Sequence, residues 1–304
     1  MSAAYRDLYE EGKRILEEVP LADAALDARL LLEEVCGTDL QTLLVYPGTQ
    51  VSDADCARYR SFIERRRLRE PAAMILGTWD FMGLTFRVTK DTLIPEQDTE
   101  VLVETALSCC QNFPGRGKES SSGKAPLRIL DLCTGTGCIL LSLLHFLPEA
   151  EGIGTDLSGE ALLIASENAG RLGLEDRSRF FQGDLWEALP DPGERFDLIV
   201  SNPPYVPTDV IPTLAPEVRC GEPLIALDGG ADGLAFYRRI FKRAPEHLSG
   251  EGLILVEAGF EEAAAIRALM EESGLCVLRT VKDYGGLERV VAGRRRPAAE
   301  CPDL

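Results

Sequence analysis

From residue 127 onward the chain alternates between two hydrophobic periods, and that alternation restricts its possible folds more than any other feature. Short apolar runs at Leu127–Leu132, Gly152–Asp156, Arg179–Gln182, Phe196–Ser201 and Leu253–Glu257 read as strands. The stretches between them, such as Cys138–Phe146, Gly159–Leu172 and Ala235–Ala244, carry helical spacing. Strands separated by helices pair in parallel through right-handed crossovers, so the expected class is α/β with a Rossmann-like sheet. Two further β-rich runs, Cys276–Val281 and Glu288–Ala292, are expected to close the sheet. In an open parallel sheet, ligands bind beyond the carboxyl ends of the strands. Polar residues that close a strand are therefore the first candidates for function.

The residues before the sheet follow another pattern. Leu8, Ile15, Leu16 and Val19, then Leu26, Leu30, Leu31 and Val35, recur at helical spacing, with Cys36-Gly37 as a stop. Ser52 and its following acids offer an N-cap for a third helix through Arg67. Residues 1–72 are thus expected to form a small helical domain, and residues 73–92 a linker hairpin turning at Met82-Gly83. Residues 93–293 follow as the sheet domain, with a helix from Thr99 to Cys110 at its start. A breaker-rich stretch over 114–126 reads as a flexible surface loop, and 294–304 as a disordered tail.

Composition narrows the function classes. A net charge of −18 disfavours a protein that grips a nucleic-acid backbone, and the short basic runs Arg65-Arg66-Arg67 with Arg69 and Arg294-Arg295-Arg296 read as solvated faces or tails. The nine cysteines include no C-x-x-C pair and only His145 and His247 accompany them, so no metal site is expected and the thiols read as reduced and mostly buried. No apolar run reaches the roughly 18 residues that span a bilayer, and the acidic amino terminus lacks a signal-peptide pattern. The expected compartment is the cytoplasm, with no membrane partner.

Four polar signatures stand at strand ends. In Asp131-Leu-Cys-Thr-Gly-Thr-Gly137 the glycines allow a tight turn and close approach of backbone to a ligand, while Leu140 stands where a dinucleotide fingerprint wants a third glycine. Asp156 can accept both hydroxyls of a ribose; alternatively, it or Ser158 caps the next helix. Asp184 can accept from an adenine amine, or serve as a turn acid. The fourth, Ser201-Asn202-Pro203-Pro204-Tyr205, is the most specific, since such a tetrad arises by chance in roughly one chain in a hundred of this length.

That tetrad suits one chemical task. A planar amide or amine nitrogen is a poor nucleophile because its lone pair is delocalised. The Asn202 side-chain oxygen and the Pro203 carbonyl, held stiffly by the ring, can accept its two N–H groups. The lone-pair direction is then left facing a methyl carbon on a sulfonium, with the Tyr205 ring against the planar group. No metal or covalent nucleophile is required.

With these motifs the chain resembles the PrmC/HemK family of peptide-chain release factor glutamine N5-methyltransferases over about 73–293. The resemblance includes Leu93-Ile-Pro, Asp98-Thr-Glu, Pro216-Glu-Val-Arg219, Glu222-Pro223, Ala226-Leu-Asp-Gly-Gly230, Asp232-Gly-Leu234 and Arg289-Val-Val. It implies S-adenosylmethionine (SAM) over Cys133, Thr134, Gly135, Thr136, Gly137, Asp156, Asp184, Leu185 and Asn202. It further implies that Asn202, Pro203, Pro204 and Tyr205 hold the glutamine of the Gly-Gly-Gln loop of a class 1 release factor. Direct nucleic-acid binding is not expected; an amino-methyltransferase acting on adenine or guanine is the alternative that shares the tetrad. The chain departs from the family at Cys133, where glycine is usual, and at Glu96-Gln97, where Arg-Pro is usual.

Overall fold

The computed structural model describes residues 3–111 and 126–296. The chain opens with five helices, α1 (Tyr5–Leu16), α2 (Ala24–Cys36), α3 (Leu40–Val45), α4 (Asp53–Arg67) and α5 (Ala72–Leu76). The Asp23 carboxylate caps α2 by accepting the Leu26 N–H at 2.9 Å, and Gly37, at φ 57°, ends it in the left-handed region. Ser52 caps α4 by accepting the Asp55 N–H at 3.1 Å. Acids stand in the first turn of α4 and arginines in its last, which complements the helix dipole at both ends. Leu8, Leu16, Leu31, Leu32, Tyr59 and Ile63 are buried together as the core of this part.

A two-residue hairpin of β1 (Thr78–Phe81) and β2 (Leu84–Arg87) follows, with Met82 and Gly83 both at positive φ, as a two-residue turn between twisted strands demands. α6 (Gln97–Gln111) begins two residues before the expected start. The remaining elements are β3 (Leu127–Leu132), α7 (Cys138–Phe146), β4 (Ala150–Asp156), α8 (Gly159–Leu172), β5 (Ser178–Gln182), β6 (Phe196–Ser201), α9 (Pro216–Gly221), α10 (Leu224–Leu227), α11 (Ala235–His247), β7 (Leu248–Glu257), α12 (Ala263–Glu272), β8 (Leu275–Lys282) and β9 (Glu288–Arg295).

The seven-stranded sheet runs in the order β5-β4-β3-β6-β7-β9-β8, parallel as far as β7 and antiparallel thereafter. Alternate residues face opposite sides. Ile129, Leu198, Val200 and Leu255 pack with α6 and α7, whereas Leu130, Leu132, Ile199, Ile254 and Val256 pack with α11 and α12. The chain leaves β3 toward β4 on one side and returns to β6 on the other, so the switch in strand order lies between β3 and β6. Among the described residues, no helix is long and apolar enough to cross a membrane.

The chain divides into two compact units. One comprises residues up to Thr78 together with Ala215–Gly221; the other comprises Trp79–Leu214 and Glu222 onward. Three expectations need correction. Arg66 is not solvated: it is buried, pairs with Asp27 at 2.7 Å and reaches Glu217 at 3.4 Å, while Arg69 meets Glu217 at 2.5 Å. A buried cation must find a partner, and here the partners come from α2 and α9. Arg294 and Arg295 belong to β9 rather than to a tail, because they pair with β7 and β8. Of the eight described cysteines only Cys56, Cys110 and Cys138 are buried; Cys220 is exposed on the short α9, which buries no residue. The expected loop over 114–126 lies outside the described residues except for Pro126, as does the rest of the tail from Pro297 onward.

Candidate active site

Strand pairing sets the site level. Leu132 pairs with Thr155 and Ser201, Asp156 with Gln182, and Ser201 with Val256, so the carboxyl ends of β3, β4, β5, β6 and β7 form one edge. Ser201 ties two of them by donating its hydroxyl to the Leu132 carbonyl at 2.7 Å. A cleft enclosing about 690 Å³, part of it open to solvent, lies along this edge.

Cys133, Gly135 and Gly137 occupy the left-handed region at φ 61°, 54° and 79°, which turns the loop after β3 sharply. A Cβ on Gly135 would meet nothing within 4 Å, because the loop there faces the cleft; one on Gly137 would press on Leu141 and Ala165 at 3.1 and 3.2 Å. From this loop Cys133 and Gly135 line the cleft, while Thr134 and Thr136 are buried beneath it and Gly137 starts α7. Thr134 donates its hydroxyl to the Asp131 carboxyl at 2.6 Å. Full burial outweighs that bond and lifts Asp131 to about 7.

Asp156 accepts the backbone N–H of Gly135 and of Ser158, each at 2.9 Å. It therefore tethers the glycine loop, and the helix cap is Ser158, whose hydroxyl accepts the Ala161 N–H at 3.1 Å. Burial raises the Asp156 pKa despite these bonds. With the Leu157 N–H also close, the carboxylate still keeps acceptor capacity for a further donor. Asp184, half-exposed, pairs with Arg239 of α11 at 2.7 Å, and Leu185 lines the cleft beside it. Phe236 of α11 adds an aromatic wall that the sequence reading missed; its signal was only one apolar residue at a helix start.

Asn202 and Pro204 line the cleft from β6, with Pro203 buried behind and Tyr205 partly buried. The segment is anchored just past Tyr205, where Val206 bridges to the stretch after α10. Val206 donates to the Leu227 carbonyl and Gly229 donates to the Val206 carbonyl, both at 2.9 Å. Gly229 is small because it must be: a Cβ there would meet the Tyr205 backbone at 2.6 Å, and one on Gly259 would meet the ring at 2.8 Å.

Two residues behind the tetrad were missed. Thr99, buried on α6, accepts the Asn202 side-chain N–H at 3.3 Å. Glu257, buried at the end of β7, receives the Tyr205 hydroxyl over a long 3.5 Å. An acid closing a fifth parallel strand was the available signal for Glu257. Burial lifts it to about 7, with Thr99 and Arg289 pulling the other way. Glu222 is pushed up to about 8 by burial and then by Glu96. Glu96 keeps exposed surface while its carboxyl sits low among protein atoms; that burial, with Asp98 nearby, raises it.

The residues present fit SAM on the chemistry of the donor set. Asp156 has spare acceptor capacity beside an open glycine turn, and Phe236 and Leu185 add apolar lining to the same cleft. Next to it, Asn202 and Pro204 line the same cleft.

Residues 7–77 match the PrmC N-terminal domain and residues 129–220 match a methyltransferase domain. The chain is 44% identical to a release factor glutamine methyltransferase of Agrobacterium fabrum, covering 93% of this chain and 95% of that one. A protein of the same name from Geobacter sulfurreducens is 41% identical over 95% of this chain and 96% of its own. Among solved structures, the hMettl16 catalytic domain in complex with an MAT2A 3'UTR hairpin superposes with a TM-score of 0.52 at 14% identity, over 84% of this chain and 87% of that one. The human methyltransferase 10 domain containing protein does so at 0.50 and 17%, over 71% and 90%. Both show the same sheet fold.

Proposed function

Because the chain belongs to the release factor glutamine methyltransferase family, we propose that its strand-edge cleft methylates the side-chain amide nitrogen (N5) of the glutamine in the Gly-Gly-Gln loop of class 1 release factors. SAM supplies an electrophilic methyl group carried on a sulfonium. Asp156 would hold the ribose hydroxyls, Asp184 would exchange part of its pairing with Arg239 for the adenine amine, and the turn from Cys133 to Gly137 would hold the rest of the cofactor. Asn202 Oδ1 and the Pro203 carbonyl accept the two amide N–H groups of the substrate, and Tyr205 lies against its plane. Two acceptors in fixed positions orient the nitrogen and favour the polarity that develops as it becomes a nucleophile, so the residues contribute orientation and matched charge rather than covalent chemistry.

The observation that carries this reading is the Asn202–Tyr205 segment, level with the Asp156 edge, lining the same cleft through Asn202 and Pro204 and anchored just past Tyr205 by the backbone bonds of Val206. The partner is a protein, which suits a chain of net charge −18 better than a nucleic-acid backbone does. The compartment that follows is the cytoplasm, where release factors meet the ribosome. Purified release factor and ribosomal RNA, each incubated with labelled SAM, test the assignment, with mass spectrometry of the loop peptide locating the methyl group. Label on RNA alone would overturn it. Asn202→Ala should lower turnover by roughly 10²–10³-fold while SAM affinity stays near wild type. Near-normal turnover would remove Asn202 from the mechanism.

A further inference from the structure

Asp98, Thr99, Glu100 and Arg289 do not line the strand-edge cleft, yet the fold joins them behind Asn202. Successive residues of an α-helix point about 100° apart, so three in a row at its start face three directions. At the start of α6 each direction meets a different partner. Asp98 Oδ2 accepts from Arg289 of β9 at 3.1 Å, and Thr99 Oγ1 accepts the Asn202 Nδ2–H at 3.3 Å. Glu100 Oε1 accepts the Met82 N–H at the hairpin turn at 2.6 Å.

Arg289 is itself fixed. Its side chain is only 10% exposed, and its guanidinium also donates to the Asp283 carboxylate at 3.1 and 3.2 Å and to the Ala258 carbonyl at 3.2 Å. Ala258 follows β7 directly, and its N–H donates to the Arg289 carbonyl at 2.7 Å. A planar fork whose donors are spread over three partners is held in one place. It ties the start of α6 to β9 and to the end of β7, the strand beside β6. We propose that Arg289, Asp98 and Thr99 are positioning residues for Asn202. The Arg289–Asp98 pair fixes the first turn of α6, and Thr99 on that turn holds the Asn202 amide nitrogen, leaving Oδ1 for the substrate. A group that must meet a substrate N–H has to be held within about 0.5 Å of its productive place, which takes such support from behind. This inference rests on the reading of Asn202 as the substrate's acceptor.

The experiment measures kcat and KM on release factor, SAM affinity by calorimetry and melting temperature. The variants are Thr99→Val, Thr99→Ser, Asp98→Ala, the double variant Asp98→Ala with Thr99→Val, Arg289→Lys and Asn202→Ala. Thr99→Val should lose roughly 10²-fold in kcat at saturating substrates, the scale of a misplacement of about 1 Å, with SAM affinity near wild type. Thr99→Ser keeps the hydroxyl and should restore most of the rate. Thr99→Ala gives the same comparison if Thr99→Val does not fold. Asp98→Ala should lose roughly 10-fold alone and nothing further in the Thr99→Val background, because Asp98 acts through Thr99. Arg289→Lys keeps the charge without the fork and should resemble Asp98→Ala. Lower melting temperatures with wild-type kcat would make the cluster structural and overturn the proposal, as would independent losses of kcat in the double variant. A raised KM with unchanged kcat would assign these residues to docking and overturn it too. If Asn202→Ala is crippled while Thr99→Val is not, the positioning role falls and the reading of Asn202 survives. If Asn202→Ala turns over near normally, both fall.

Discussion

Asp156 illustrates how much one side chain does at this edge. Its lone pairs hold one set of donors, the N–H groups of Gly135 and Ser158 with Leu157 close by, and keep capacity for a second set from a ribose. Asp156→Ala removes both sets, so SAM affinity should fall by about 10²-fold or more, at roughly 1.5–3 kcal/mol for each charged hydrogen bond lost. Turnover at saturating SAM should change less, and calorimetry with single-turnover rates separates the two effects. Since Ser158 is the helix cap, unchanged affinity would leave Asp156 as a loop tether only. Tyr205 makes the complementary case. Its hydroxyl reaches Glu257 only at 3.5 Å, whereas its ring is boxed in by Gly259. Tyr205→Phe should therefore be mild and Tyr205→Ala severe in kcat; equal damage from both would shift the weight to the hydroxyl.

At the scale of elements, the glycines after α10 brace the strand-end segment. Gly229→Ala must displace the Tyr205 backbone, since the new Cβ would lie 2.6 Å from it; the expected cost is about 1–3 kcal/mol together with a loss of turnover. Gly170→Ala is the control. It is exposed within α8 with nothing in reach of a Cβ, so chemical denaturation should show a gain of about 0.5–1 kcal/mol with kinetics unchanged. The start of α6 poses a different question. A helix dipole lowers the pKa of an acid at its amino terminus, yet Glu96 is raised, so burial and Asp98 outweigh the dipole. Charge there costs stability above the ordinary carboxylate range, and Glu96→Gln should melt higher at pH 8. Glu96→Arg should raise kcat/KM on release factor at low salt, with the gain shrinking as salt screens it. A lower melting point with unchanged kinetics would return Glu96 to the helix.

Across the whole molecule, buried acids set the pH dependence of stability. Asp131, Glu257 and Glu262 are lifted to about 7 and Glu222 to about 8, chiefly by burial. Between about pH 4 and 8 the native state holds protons that the unfolded chain has released, so stability falls as pH rises through that window. Repulsion within a chain of net charge −18 adds in the same direction. Melting temperature should drop from pH 5.5 to 8, and by less in Asp131→Asn; a rise over this window would contradict the assignment. The same interior marks the limit of what the sequence conveys. The alternation of periods, the caps at Ser52 and Gly37, the Met82-Gly83 turn and the polar ends of β3 to β6 were all legible, because each depends on neighbours a few residues away. The burial of Arg66 between Asp27 and Glu217, the inclusion of Arg294 in β9 and the meetings of Thr99 with Asn202 and of Glu257 with Tyr205 were not. Local spacing determines which element forms and where it ends. Only tertiary packing decides which distant groups share a low-dielectric interior, where a charge or a hydroxyl proton persists only with a partner that folding delivers.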